Sequence, residues 1–259
     1  MRPATRRAIF RRLQAANPNP TTELHYSTPF ELLVAVMLSA HTTDKSVNAA
    51  TARLFQVANT PAAIVALGVE GVKPYIKSVG LYNTKSSNLV ALARQLLERH
   101  GGEVPGDRAA LEALPGVGRK TANIILNLVF GRPEIAVDTH IFRVANRTGL
   151  APGRTPREVE DALVANTPPE YRRNAHSWLI LHGRYVCTAR LPKCPQCIIR
   201  DLCEYPYKTP ARPPQATRRV GPRRARGRTA ARRKTALRTA RSLRRGALTA
   251  LQRTHLRGM

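Results

Sequence analysis

Four cysteines, Cys187, Cys194, Cys197 and Cys203, fall in one short stretch with the spacing C-x6-C-x2-C-x5-C. Four thiolates around one compact loop suit a tetrahedral or cubane metal centre. Zinc modules usually pair two C-x2-C knuckles, and only one is present, so the spacing favours a four-iron, four-sulfur cluster over zinc, and either over two disulfides. A second group is Leu114-Pro115-Gly116-Val117-Gly118-Arg119-Lys120, set between two short helical segments. Glycines at 116 and 118 let the backbone turn tightly and approach a ligand, and the next helix opens with free N–H groups and the positive end of its dipole. A DNA phosphate matches that arrangement. Lys120 stands at this helix start, where the dipole and neighbouring Arg119 should disfavour the ammonium and promote amine nucleophilicity. Pairing with a phosphate is the alternative for Lys120. The third group is Val137-Asp138-Thr139-His140. Asp138 could move a proton or steady a developing cation, or cap a helix starting near Thr139, and the two roles are compatible.

The elements that must position these groups read as helices. Pro29 to Leu38 is nearly all apolar behind Ser27-Thr28, as a buried central helix would be. Apolar stripes recur over Asp44 to Val57 and Ser86 to His100, the latter closed by Gly101-Gly102. Thr60-Pro61 starts another short helix. Asp107 to Leu114, Lys120 to Phe130, Thr155 to Ala165 and Arg173 to Tyr185 complete an all-α list. The basic start of the chain reads as a surface helix stopped by Asn17-Pro18-Asn19-Pro20, with a mitochondrial presequence the weaker reading.

Hydrophobic residues make up 42% of the 259, enough for a substantial core. The formal charge of +27 points to a polyanionic partner rather than a small acidic substrate alone. No Asp or Glu follows Glu204, while Lys208 to Arg257 holds 17 basic residues. The rest of the chain carries +10. Prolines at 210, 213, 214 and 222 precede an Arg-, Ala- and Thr-rich tail, 208–259, expected to be disordered. Ala230 to Leu251 could become a basic helix on a polyanion. The tail reads equally as a DNA-holding arm or as a dispensable extension. No run approaches the ~18 apolar residues of a membrane span, and no secretory h-region follows the basic start. A cytoplasmic, nucleoid-associated protein is expected, in which clustered thiols hold metal rather than disulfides.

Together the hairpin Leu114 to Ala122, the segment Val137-Asp138-Thr139-His140 and the cysteine loop resemble the endonuclease III family of helix-hairpin-helix DNA glycosylases. The resemblance spans about Arg6 to Tyr205, and includes Leu38-Ser39-Ala40, Gly80-Leu81-Tyr82-Asn83 and Trp178 to Tyr185. It implies two helical domains with DNA and active site in a cleft between them. A six-helix domain at 22–132 would carry the hairpin, about 108–127, and 1–21 with 133–207 would form the cluster domain. Lys120 would be the nucleophile, Asp138 the essential carboxylate, and the four cysteines the ligands of a 4Fe-4S cluster. Leu114, Gly116, Val117, Gly118, Arg119 and His140 would meet DNA. Leu81 and His41 would fill the gap left by a flipped base. His41 departs from the Gln usual in the family, which should affect the base opposite the lesion more than the chemistry. The resemblance implies a monomer that excises oxidised pyrimidines from double-stranded DNA and cuts the strand at the abasic site. The adenine-removing relatives lack a lysine at this hairpin position, so Lys120 points to the bifunctional branch.

Overall fold

A cap residue fixes most helix starts. In this computed structural model, which describes residues 1–211, the threonines Thr28, Thr43, Thr60 and Thr155 each accept a backbone N–H at the start of α2 (Pro29–Leu38), α3 (Asp44–Leu54), α4 (Pro61–Ile76) and α9 (Pro156–Asn166). Asp107 and Asp138 do the same for α6 (Arg108–Glu112) and α8 (Thr139–Thr148). At α2 the Glu31 carboxylate also reaches back to accept the N–H of Ser27 at 2.6 Å, closing a reciprocal cap. The remaining helices, α1 (Pro3–Ala16), α5 (Tyr82–His100), α7 (Arg119–Leu128) and α10 (Arg172–Tyr185), start without a side-chain cap. Among the described residues there is no strand.

Two hydrophobic cores organise these helices. The first draws on residues between Leu24 and Leu126, with α2 buried along nearly its whole length and touching α3, α5 and α7. Six α-helices, α2 to α7, lie in this stretch. The second core joins Ile9, Phe10 and Leu13 of α1 to residues 135–199. There Phe10, Tyr171 and Trp178 form an aromatic triangle with ring centroids 5.8 to 6.5 Å apart. Trp178 Nε1 donates to the carbonyl of Asn17 at 2.7 Å, pinning the end of α1.

Two details differ from the sequence expectations, while the N-terminal helix ends at Ala16, before Asn17, and buries one face as a surface helix does. The helix after Thr60 runs to Ile76, broken at Gly68, where φ is +67°. The helix expected from Ser86 starts at Tyr82, one turn earlier, because Leu81 enters it with left-handed backbone and no side-chain cap to mark the start. The tail beyond Ala211, including the basic helix and DNA-arm readings, lies outside the described residues.

Candidate active site

The hairpin is two short helices, α6 and α7, joined by a turn at 113–118. Gly116 has φ +78°, a conformation that penalises a Cβ, and a Cβ there would also stand 3.1 Å from Asn88 and Met37. Gly118 differs. Its backbone is extended and a Cβ would meet nothing within 4 Å, so no intramolecular neighbour excludes a side chain. The bare backbone there leaves room at the uncapped start of α7 for something outside the chain. Leu114 and Val117 are buried under the turn, so near DNA they could offer only main-chain groups.

Arg119 has a partner within the protein. Its Nε and Nη2 donate to Glu160 Oε1 at 2.9 and 2.6 Å, tying α7 to α9. Glu160 is itself buried. The Arg119 charge is therefore matched by a carboxylate instead of bearing unopposed on Lys120.

Lys120 is exposed at the N-terminal turn of α7 and shares a cavity of about 550 Å³ with Asp138. Asp138 is indeed the cap of α8: its Oδ1 accepts from the N–H groups of His140 (2.9 Å) and Ile141 (2.8 Å). Its Oδ2 makes no hydrogen bond among the described residues. One carboxylate thus holds the helix and presents an open oxygen. Helix α10 supplies another wall, His176, Ile180 and Arg184 at intervals of four. Burial pushes the His176 imidazole down to about 4, with Asp138 opposing and Lys120 reinforcing the shift, so it is neutral at physiological pH. Its Nδ1 is buried without a hydrogen-bond partner.

At the mouth, the Arg184 guanidinium donates to both Glu23 and Asp44, and the Tyr185 hydroxyl donates to Glu23. These bonds, from Tyr185 first and Arg184 second, hold the Glu23 carboxyl below the usual range. The same groups border a wider opening of about 950 Å³ that includes His41 and His140. His41 and Leu81, both exposed, have φ of +56° and +58°, and no other non-glycine residue among those described has positive φ. His176, Glu23 and Asp44 were not among the residues expected from the sequence to form the site. The spacing of His176 and Arg184 was a usable signal, once α10 is known to face Lys120.

The cysteine loop leaves α10 at Val186. Arg143 Nε donates to the Cys187 carbonyl at 2.8 Å, and Arg147 donates to the carbonyls of Thr188 and Ala189 at 2.7 Å each. The Arg147 guanidinium also lies over the Tyr205 ring, 5.0 Å from its centroid. All four cysteines are free, half-buried, and border one cavity of about 370 Å³ with Val186, Pro192 and Ile199. Among the described residues no three Cys, His or acidic side chains close on a point tightly enough to clasp a single ion. Arg147, Arg200 and Lys208 also line the cavity, which contains no carboxylate.

Comparison with known proteins agrees with this arrangement. Residues 34–169 match the model of the HhH-GPD superfamily base excision DNA repair proteins. Endonuclease III of Escherichia coli K12 is 63% identical over 208 residues, spanning 80% of this chain and 99% of that protein. Endonuclease III of Haemophilus influenzae is 60% identical over 200 residues, 77% of this chain and 95% of its own length. A solved endonuclease III trapped as a covalent intermediate with DNA superimposes with a TM-score of 0.74 at 41% identity, covering 79% of this chain and 96% of that one. A thermostable thymine-DNA glycosylase gives 0.70 at 25% identity, with 78% and 96% covered. By sequence and by fold, this chain belongs to the endonuclease III family of HhH-GPD base excision DNA repair proteins.

Proposed function

We propose that this chain is a DNA glycosylase with AP lyase activity, that it removes oxidised pyrimidines from duplex DNA, and that Lys120 and Asp138 carry the chemistry. The observation that supports this most directly is an exposed lysine and a half-open carboxylate bordering one cavity. The damaged nucleotide is rotated out of the helix, at lower cost where damage has weakened its stacking. Lys120 Nζ forms a bond to the sugar C1′ as the glycosidic bond breaks, and the electron pair leaves with the base. Asp138 steadies the cationic sugar and handles the proton that Nζ must lose. The amine so joined opens to a Schiff base. Loss of a C2′ proton then expels the 3′ phosphate by β-elimination.

The hairpin backbone at 116–118 and the open N–H groups of α7 would hold a phosphate. His140 would line the DNA-facing opening, while His41 and Leu81 would occupy the vacated base position. The cysteine loop fits a 4Fe-4S cluster held by Cys187, Cys194, Cys197 and Cys203. Four thiols around a carboxylate-free cavity are a soft donor set, and three lining cations would offset the charge of a four-thiolate centre. A single C-x2-C knuckle, where zinc modules usually pair two, favours a multinuclear group over zinc. When bound, the cluster would rigidify the loop that sets Arg190, Lys193 and Arg200 near DNA. We divide the described chain into 22–132 and a second domain of 1–21 with 133–207. The protein would act as a monomer on nucleoid DNA in the cytoplasm, and no described helix is long and apolar enough to cross a membrane.

Borohydride trapping on a duplex with one oxidised pyrimidine tests the reading. We expect a covalent adduct, lost in Lys120→Ala. A folded, iron-loaded protein that excises the base without any adduct would be a monofunctional glycosylase. One that binds without excising would be a non-catalytic DNA-binding protein, with Lys120 a phosphate contact.

A further inference from the structure

Lys85 is buried, only 6% exposed, in the first turn of α5, four residues after Leu81. Its Nζ donates to the carbonyls of Leu38 (2.8 Å) and Ala40 (2.5 Å) and reaches Thr42 Oγ1 at 3.4 Å. Every ammonium donor is thus spent on the segment where α2 ends and the turn carrying His41 begins. Thr42 Oγ1 extends the link, accepting the N–H of Gly80 at 3.1 Å. A Cβ on Gly80 would stand 3.2 Å from the His41 carbonyl, so the two turns approach as closely as a glycine permits. Lys85, Thr42 and Gly80 therefore bridge the flanks of His41 on one turn to the residue just before Leu81 on the other. Burial pulls the Lys85 pKa below the usual lysine value, so the charge is held there at a cost that only well-formed hydrogen bonds offset. Lys85 does not border the cavity of Lys120 and Asp138.

We propose that Lys85 is a positioning residue that locks the two strained tips, His41 and Leu81, at a fixed separation so that both enter the space of a single extruded base. The proposal rests on the reading of those tips as gap-filling residues. Left-handed backbone at a non-glycine residue relaxes unless its surroundings hold it, and here the holding groups are the Lys85 ammonium and the Thr42 hydroxyl. A mispositioned pair of tips would penalise extrusion of a base. It would matter less at a preformed abasic site, where no base has to leave the stack.

The test compares two reactions of the full-length, iron-loaded protein: single-turnover excision of an oxidised pyrimidine from duplex DNA, and borohydride trapping at a preformed abasic site. The variants are Lys85→Met, which removes all three donors, and Thr42→Val, which keeps the shape but removes the link to Gly80. His41→Ala and Leu81→Ala report on the tips. We expect excision to fall roughly 10- to 100-fold in Lys85→Met and about threefold to tenfold in Thr42→Val, with trapping reduced by about threefold at most. Equal losses in both reactions would mark Lys85 as merely structural and overturn the proposal. Loss of excision in the tip variants but not in Lys85→Met or Thr42→Val would overturn it while leaving the gap-filling reading intact. No loss of excision in either tip variant would overturn the gap-filling reading and the proposal with it. If Lys85→Met fails to fold, Thr42→Val decides.

Discussion

In the hairpin the residue with left-handed backbone is Gly116, at φ +78°, whereas in the turns beside the active-site opening it is His41 at +56° and Leu81 at +58°. Glycine adopts this conformation freely, while any other L-residue gives up about 1–2 kcal/mol. Burial of the side chain does not repay that cost at Leu81, which is 67% exposed. The hairpin, by contrast, keeps side chains off the surface where a backbone must be approached: Leu114 and Val117 are buried beneath it, and Gly118 adds none. One region has been stripped to its main chain, and the other carries side chains at a conformational cost. The natural reading is that the first meets phosphate and the second displaces a base.

This contrast can be broken by experiment. The largest effect should come from Gly116→Ala, which adds backbone strain to close contacts with Asn88 and Met37. We expect a loss of about 3 kcal/mol and a fall of roughly 6–12 °C in Tm, seen by thermal unfolding. An unchanged Tm would mean that the turn does not need its glycine. Gly118→Ala should be milder and of a different kind. Stability should fall by about 0.5–1 kcal/mol, yet affinity for duplex DNA at fixed salt should fall about tenfold if a phosphate is approached there. Equal affinities would remove the phosphate from this turn. The smallest change in stability belongs to His41→Gly and Leu81→Gly. Relief of strain is nearly balanced by the added freedom of the unfolded chain, leaving a net change within about 0.5 kcal/mol. Excision should fall nonetheless, and a clear loss of stability would show that the tips are structural after all.

Much of the fold could be read in advance because caps and apolar periodicity are local. Thr28 and Thr60 mark helix starts, and the run Phe30 to Leu38 declares its own burial. Local signals failed where the physics is not local. The burial of Lys85 leaves no local signal, since its acceptors Leu38 and Ala40 lie 47 and 45 positions away. The start of α5 was misplaced because Leu81 offers no cap and takes a conformation that a leucine rarely adopts. At the site, the glycine turn and the grouping of four cysteines were plain from residue types. The roles of Lys120 and Asp138 were not: spacing left phosphate pairing and helix capping open, and family resemblance supplied the choice. For Asp138 the geometry keeps the cap and still leaves one oxygen open.

The split second core has a consequence for synthesis. Residues of the first core, between Leu24 and Leu126, are contiguous, so that core can close soon after it emerges from the ribosome. Ile9, Phe10 and Leu13 leave the exit tunnel first, yet their partners Trp178 and Leu179 come out more than 150 residues later. At a translation rate of about 5–20 residues per second, α1 waits on the order of ten seconds or more with its apolar face uncovered. The first of the described helices to be made is thus among the last to find its place, and the four cysteines emerge only as that wait ends. An interruption before residue 178 would leave a folded first core trailing a sticky N-terminal helix, a nascent chain for chaperones to shield.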